Sequence, residues 1–515
     1  MLGIIVAILV LSLVIIIHEI GHFLAARKAG ILCHEFSLGM GPVLYSKKIG
    51  ETTYALRLIP LGGYVSMAGE EIESELVKLG SKIRVELNEN KNVVKIFLDH
   101  EDENYEDYEL VIVEKVDLKA IDGGPLFINN YAVKKDAMYV INGKEIQIAP
   151  ANRNFNFKNK KQRFLAIFGG PFMNFVLAFF VFVLFALLSG FPKTTSTEIG
   201  FVGEDYPAGD VLEAGDIIKY VDHKSVIAWS VDDPNVRTVS SVLDDNMSDR
   251  LVEFIVDRDG VELTLYVTPT IYFYSVGFHS AEGVQNDLII GPIIEGTKAH
   301  SAGMVEGDQI VSIDGTSVDT WDQVITIMSD NVSGEEIVFV VDRDGVTETL
   351  TVEDPWGQDV LDNQGLPAVD SVVGINPVYE PNFVKSVGYG FTGIKNASTM
   401  IFDTLGLLFS SDQVGAGDLA GPVGIYQITS SALDGGFVNL LGWIGLLSVN
   451  LGVINLLPIP ALDGGRLVFL GWEAITGKKA NAKVENTLHY VMYLLLMGLF
   501  VFITYNDLLR LFNLK

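Results

Sequence analysis

The chain has 515 residues and a formal charge of −29, yet 49% of it is hydrophobic and its mean hydropathy is positive. That acidic balance speaks against nucleic acid, which needs a basic face. The single cysteine, Cys33, excludes an internal disulfide framework and a cysteine-rich metal site, and it reads as a buried small hydrophobe. The apolar residues are concentrated in four runs, near 2–26, 164–190, 437–457 and 484–505. Each approaches the roughly 20 residues that a bilayer crossing needs.

The first run, 1–26, has no basic residue before it and no small-residue cleavage site after it, so it reads as a retained membrane helix rather than a signal peptide. It carries His18-Glu19-Ile20-Gly21-His22. Two histidines at i and i+4 share one helix face and can both reach one zinc ion. Glu19 beside them can take a proton from a metal-bound water. Three ionisable groups in an apolar helix cost several kcal/mol unless they have partners, and a chance HExxH would sit on a soluble surface, where it costs nothing.

Residues 27–69 follow as a cytoplasmic segment. Residues 70–157 form an acidic insert whose alternating runs, Lys82–Leu87, Val93–Leu98, Leu110–Val116 and Tyr139–Ile148, predict a small β module. Basic residues mark the cytoplasmic side near membrane ends. Arg27 and Lys28 follow the first span, Lys158, Lys160, Lys161 and Arg163 precede the second, and Lys478, Lys479 and Lys483 separate the third and fourth. The expected threading puts both termini outside, 27–163 and 458–483 inside, and 191–436 outside, with Arg510 and Lys515 as a minor contrary signal.

The outer segment repeats itself. Val256-Asp257-Arg258-Asp259-Gly260-Val261 returns at 341–346, and Ala208-Gly209 with Gly215-Asp216-Ile217 is echoed by Ala302-Gly303 with Gly307-Asp308-Gln309-Ile310. A period of about 85–90 residues suits two copies of one small domain, expected over 195–270 and 285–355. The wording at 302–315 resembles bacterial PDZ domains, which add an extended chain to a sheet edge; Gly200, Phe201, Ile290 and Gly291 stand in the candidate peptide-binding loops. The copies could equally be spacers or size filters. Residues 383–410 interleave apolar and polar residues, as an interfacial amphipathic helix would.

Two histidines and a water leave tetrahedral zinc one protein ligand short. After the third span the chain offers Asn455-Leu-Leu-Pro458-Ile-Pro460-Ala-Leu-Asp463-Gly464-Gly465, where the prolines preclude a regular helix. His18 lies about 24 Å along the first helix, toward its inner end. The threading puts Asp463 at the inner end of the third span, so the three ligands share one level.

With HEIGH in a first span, Gly169-Gly170-Pro171-Phe172-Met173-Asn174 in a second and N-x-x-P-x-P-x-L-D-G at a third, the chain resembles the site-2 protease family. With two PDZ-like copies between the second and third spans it is similar to that family's bacterial regulator-of-sigma-E protease group. The resemblance covers all four spans and the repeats, and leaves the 70–157 insert unmatched. It implies a polytopic α-helical membrane protein with a membrane-re-entrant β hairpin and two β-rich outer domains. It implies zinc on His18, His22 and Asp463, with Glu19 as catalytic base. Asn455 would hold the substrate chain, Asn174 would line the cavity, and the stretch Leu58–Val65, with Leu61, Gly62, Gly63 and Tyr64, would pair with the unwound substrate. The implied partners are membrane-spanning proteins already trimmed by another protease, such as anti-sigma factors, or signal-peptide remnants. The other histidines, His34 among them, read as surface or packing residues. Two rival functions use parts of the same pattern: a non-catalytic membrane scaffold, which would hold no zinc, and a metal transporter, which would lack a use for Glu19.

Overall fold

Among the described residues four helices are long and apolar enough to cross a membrane, and they account for the four runs. The computed structural model describes all residues except 1, 71–75, 205, 232, 234, 245–250, 275, 282–286, 294–296, 331–335, 354–369, 411–418 and 512–515. The chain divides into two units, 1–188 with 383–515, and 189–382. In chain order, α1 (Leu2–Lys28) and α2 (Lys160–Ser189) belong to the first unit, and α3 (Val239–Asp244) and α4 (Trp321–Asp330) to the second. The first unit resumes with α5 (Phe383–Ser410), α6 (Pro422–Asp434), α7 (Phe437–Leu456), α8 (Asp463–Thr476) and α9 (Ala482–Leu511). The four candidate spans are α1, α2, α7 and α9.

Arg27 and Lys28 complement the carbonyl end of α1, and Gly30, at φ 69°, turns the chain away. Val10 and Val14 of α1 pack on Leu440, Ile444 and Leu447 of α7. On the other side of α7, Val449 and Val453 meet Ala178 and Phe182 of α2 and Ala397 of α5. The amphipathic segment 383–410 is thus one helix, laid along two spans. The helix α6 is not foreshadowed by the sequence pattern. Its Gly424 N–H donates to the buried Asp507 carboxylate of α9 at 2.8 Å.

After α1 come two long strands, β1 (Cys33–Ile49) and β2 (Thr52–Met67). The register folds them into four short runs, because residues 33–38 face both 53–56 and 63–67. The order is 43–49, 52–57, 33–38, 63–67, which leaves 63–67 as an edge. The insert that follows is a seven-stranded sheet with Ile83, Val85, Ile96, Val111, Ile128 and Ile148 in its core. The predicted runs are strands there, Lys82–Leu87 and Val93–Phe97 among them; the partner Tyr131–Ile141 begins before its predicted run.

The second unit holds two cores. In chain order its main strands are β3 (Ile199–Val202), β4 (Ile217–Val221), β5 (Val252–Arg258), β6 (Val261–Val267), β7 (Thr270–Phe273), β8 (Phe278–Ser280), β9 (Ile290–Ile293), β10 (Gln309–Ile313), β11 (Glu336–Arg343), β12 (Val346–Glu353), β13 (Asp370–Val372) and β14 (Ile375–Pro377). The first copy uses β4–β6 and the second β10–β12, each as an antiparallel run. The copies are nested rather than consecutive. β14, at the far end, pairs with β3, and Val373 sits in the first core with Ile199 and Phe254. The second copy occupies the interval, opening with β7 and closing with β13, which pair with each other. Repeat wording marks only the segments 195–270 and 285–355, because the strands that close each core fall outside the repeated words.

The repeated words are two ends of one interaction. The Asp216 carboxylate takes two hydrogen bonds from the Arg258 guanidinium at 2.7 Å each, and Asp308 takes two from Arg343 at 2.6 and 2.7 Å. Both aspartates are at most 1% exposed. Asp257 and Asp342 each accept the N–H of the glycine three residues on, forming the β5–β6 and β11–β12 turns. Removing one partner of a buried pair strands the other charge. Arg343→Ala should therefore destabilise the second copy by about 3 kcal/mol. The readout is the urea concentration at which a protease first cuts within β10–β12; an unchanged midpoint would contradict this account.

Candidate metal centre

The centre is built on a close approach of two helices. A Cβ added to Gly21 of α1 would collide with the Gly169 carbonyl of α2, and one added to Gly170 would collide with His22 Nε2. Small residues let helix backbones meet in this way, so the paired glycines before Pro171 serve contact and not flexibility. Pro171 lies within α2, and Asn174 follows on the same buried face.

His18 and His22 are 7% and 8% exposed. The structure brings them onto Asp463, whose Oδ2 lies 3.2 Å from each Nε2, while the two Nε2 atoms are 3.1 Å apart. Their potential ligand atoms all fall within 4.8 Å of one another. His22 Nδ1–H donates to the Ala166 carbonyl of α2 at 2.8 Å. That bond fixes the tautomer whose Nε2 bears a lone pair. On His18 Nδ1 the neighbour is the Asn174 amide nitrogen, at 3.3 Å, and the buried Asn174 Oδ1 has no partner. Turning that amide over would place Oδ1 on His18 Nδ1–H, satisfy both groups and free His18 Nε2 as a ligand. The Asn174 backbone carbonyl accepts from Ser448 Oγ of α7 at 2.8 Å.

Asp463 is the first residue of α8. Between α7 and α8 the chain bends through Pro458 and Pro460, with Ala461 at φ 81°. The Ala461 N–H donates to His489 Nδ1 of α9 at 2.8 Å. Gly464 and Gly465 lie so close to the Leu457 and Ile459 carbonyls that neither position admits a side chain. The LDGG wording is thus a helix start folded onto its own approach. One turn further, Arg466 pairs with Glu70, just beyond β2. Burial raises the Glu70 carboxyl above its ordinary value, and the Arg466 guanidinium pulls it the other way.

These donors fit a divalent metal. Two imidazoles and a carboxylate present lone pairs to one point in apolar surroundings, and the buried Asp463 Oδ2 receives no hydrogen bond. Such atoms repel unless a cation lies among them. Glu19, partly exposed beside them, touches β2: a methyl at Gly63 would lie 3.2 Å from its Cγ.

The remaining candidates are spread more widely. Gly62 and Tyr64 flank Gly63 on β2, and the Tyr64 hydroxyl receives a hydrogen bond from Arg57 at 2.7 Å. Leu61 is in the same strand, with its side chain outside the described residues. Asn455 is on the last turn of α7, half-buried. Gly200 and Phe201 lie in β3, and Ile290 and Gly291 in β9. Sequence reasoning missed Ala166, Ser448, His489 and the Arg57 cluster. Arg57 also binds Glu35, Ser37 Oγ and the Gly41 carbonyl, so it ties the hairpin together. His489 carries no spacing signal, and a backbone carbonyl carries none either.

The sequence matches peptidase family M50 over residues 6–499. It is 31% identical over 516 residues to the zinc metalloprotease RasP of Bacillus licheniformis, covering 98% of each chain. It is 32% identical over 513 residues to the zinc metalloprotease RasP of Oceanobacillus iheyensis, again 98% of each. A putative zinc metalloprotease of Staphylococcus aureus is 29% identical over 518 residues, covering 99% of this chain and 98% of that one.

Two substitutions test the support of the metal. Asn174→Ala should lower zinc affinity by roughly 10–100-fold, the usual cost of removing a residue that orients a ligand. Gly170→Ala, although it favours a helix by about 1 kcal/mol, should lower it at least as much. Competition with a chromophoric chelator reads both, and wild-type affinity in either variant would contradict the geometry.

Proposed function

The chain belongs to peptidase family M50, the site-2 proteases, and is a zinc metallopeptidase of that type; from this premise we propose that it hydrolyses peptide bonds within the membrane-spanning segments of other proteins. The observation that carries the reading is the meeting of His18, His22 and Asp463 on apolar span helices, with Glu19 beside them.

His18 Nε2, His22 Nε2 and an Asp463 carboxylate oxygen would hold the zinc. When bound, zinc acts as a Lewis acid toward a carbonyl oxygen and toward water. Glu19 takes a proton from the attacking water as the new C–O bond forms. It delivers that proton to the amine as the C–N bond breaks. A helical substrate hides its carbonyls in hydrogen bonds, so it must be held extended. The free edge at residues 63–67 can accept it as an added strand. Gly63 presents backbone alone beside Glu19, which keeps the edge within reach of the base.

The hairpin reading has its own support. Met40, Leu44, Tyr45, Ile49, Leu58 and Ile59 are exposed apolar residues on β1 and β2. Such a patch suits lipid and not water, so we place this part of the hairpin in the membrane. The basic residues at the ends of α1 and α2 support a cytoplasmic hairpin base, a metal level near the cytoplasmic face and both termini outside. Family membership supports, as substrates, membrane proteins already shortened outside, such as anti-sigma factors, or signal-peptide remnants.

The decisive test is Glu19→Gln. The purified variant should hold zinc at wild-type stoichiometry, yet cleave a model transmembrane substrate roughly 10²–10⁴-fold more slowly. Asp463→Asn should instead lose the metal. Undiminished cleavage by Glu19→Gln would end the proposal.

A further inference from the structure

The helix that opens on Asp463 has two unlike faces. On one, Arg466 pairs with Glu70, Leu470 is buried with Phe155 and Ile167, and the Glu473 carboxylate accepts from Arg163 Nη1 at 2.7 Å. Val468, Trp472 and Ile475 stand at i, i+4 and i+7 on the opposite face of α8. They are 50%, 57% and 89% exposed. Single exposed apolar residues need no explanation, but a continuous stripe that includes a tryptophan marks an interaction surface.

The position of the stripe selects its partner. α8 joins two candidate spans, α7 and α9, through residues 457–462 and 477–481. Its last turn is level with the first turn of a third span, because Lys160 Nζ of α2 donates to the Glu473 carbonyl at 3.0 Å while Arg163 holds the Glu473 side chain. Trp472 and Ile475 therefore lie where α2 enters the bilayer, the level at which tryptophan is enriched. Lys478, Lys479 and Lys483 follow the helix end, and Lys160 and Lys161 stand at its side; all are exposed. Of the acids in 473–485, Glu473 is committed to Arg163, which leaves Glu485. In a chain of charge −29 this local excess has the opposite sign. It matches an anionic headgroup surface.

We propose that the outer face of α8 docks on an anionic lipid surface, with Trp472 and Ile475 in the boundary between headgroups and acyl chains and the lysines on lipid phosphates, and that this docking steadies the helix that presents Asp463. An amphipathic helix with an apolar stripe and basic flanks binds such a surface through both features together. α8 is continuous from Asp463 to Thr476, and Gly464 and Gly465 are seated on the carbonyls behind it, so its last turn and its first residue move as one body. Anionic lipid is then a ligand that favours the metal-holding position of the carboxylate. The docking rests on the surface alone, and its effect on zinc rests on the metal centre, not on proteolysis.

The test uses the full chain, loaded with zinc, in phosphatidylcholine vesicles with and without about 30% phosphatidylglycerol. Cys33 is 2% exposed, so a bimane label on the Ile475→Cys variant reports α8 alone. With phosphatidylglycerol present, a nitroxide on the lipid chains should quench the label more than aqueous iodide does. Omitting phosphatidylglycerol, or combining Lys478→Gln, Lys479→Gln and Lys483→Gln, should lower that preference roughly threefold or more. Transfer of zinc to a chromophoric chelator should be roughly threefold slower with phosphatidylglycerol, and Trp472→Ser should erase the difference. Stronger quenching by iodide, equal quenching in the two lipids, or ready disulfide formation between copies of the Ile475→Cys variant would each overturn the docking. Equal zinc transfer in the two lipids would overturn its link to Asp463. None of these readouts needs turnover, so they stand apart from the Glu19→Gln result.

Discussion

Three lone-pair-bearing atoms face one another inside apolar helices, and much of the first unit is arranged to keep them there. Nε2 of His18, Nε2 of His22 and Oδ2 of Asp463 lie 3.1 to 3.2 Å from one another, a spacing at which one cation can serve all three. They are held from behind. Ala166 fixes one ring and Asn174 abuts the other, while His489 and two glycines fix the bend that aims the carboxylate. The supports come from α2, α8 and α9, and Ser448 of α7 braces Asn174, so the metal position depends on the packing of these helices against α1. Desolvated ligands gain more from a metal than exposed ones would, since competing water is excluded.

The second unit shows another solution to burying charge. Its two Asp–Arg pairs are bidentate and nearly inaccessible on the acid side. Such pairs contribute little net stability against an apolar equivalent but fix which strands meet. Here they fix β5 against the entry to β4, and β11 against the entry to β10. Nesting adds a second condition. The first core lacks Val373 until the chain has passed through the whole second domain. The pairing of Thr270 with Val372 holds the ends of the insertion together, so the first domain closes over a loop already shortened by the second domain's own folding.

What the sequence made legible follows from where information is local. The spans were readable because a water-soluble fold seldom needs twenty apolar residues in a row, and α1, α2, α7 and α9 lie within a few residues of the expected runs. His18, Glu19 and His22 were readable because i, i+4 spacing states its own geometry. Asp463 needed an argument about depth across the membrane. The nesting was not readable, because repeated words mark ion pairs and turns, whereas the exchanged strands β8 and β14 share only the Val-Gly that precedes each. His489 and the Arg57 cluster were invisible for a related reason. Their partners are set by tertiary packing, and a single polar residue in a span or hairpin has no period to betray it.

The distance along the chain between the ligands has a physical reading. Residues 22 and 463 must meet across an intervening unit with two cores of its own. Loop-closure entropy grows only with the logarithm of length, so a tenfold longer connection costs about 2 kcal/mol. Structural zinc binding is worth on the order of 10–16 kcal/mol, and the helix packing adds to it. The connection can therefore carry large outer domains at little cost to the centre. What cannot lengthen is the pair of short links that set the angles, from α1 into β1 and from α7 into α8. In the second of these, Pro458, Pro460, Gly464 and Gly465 leave no freedom to spare, so the chain tolerates elaboration only where it does not steer a ligand.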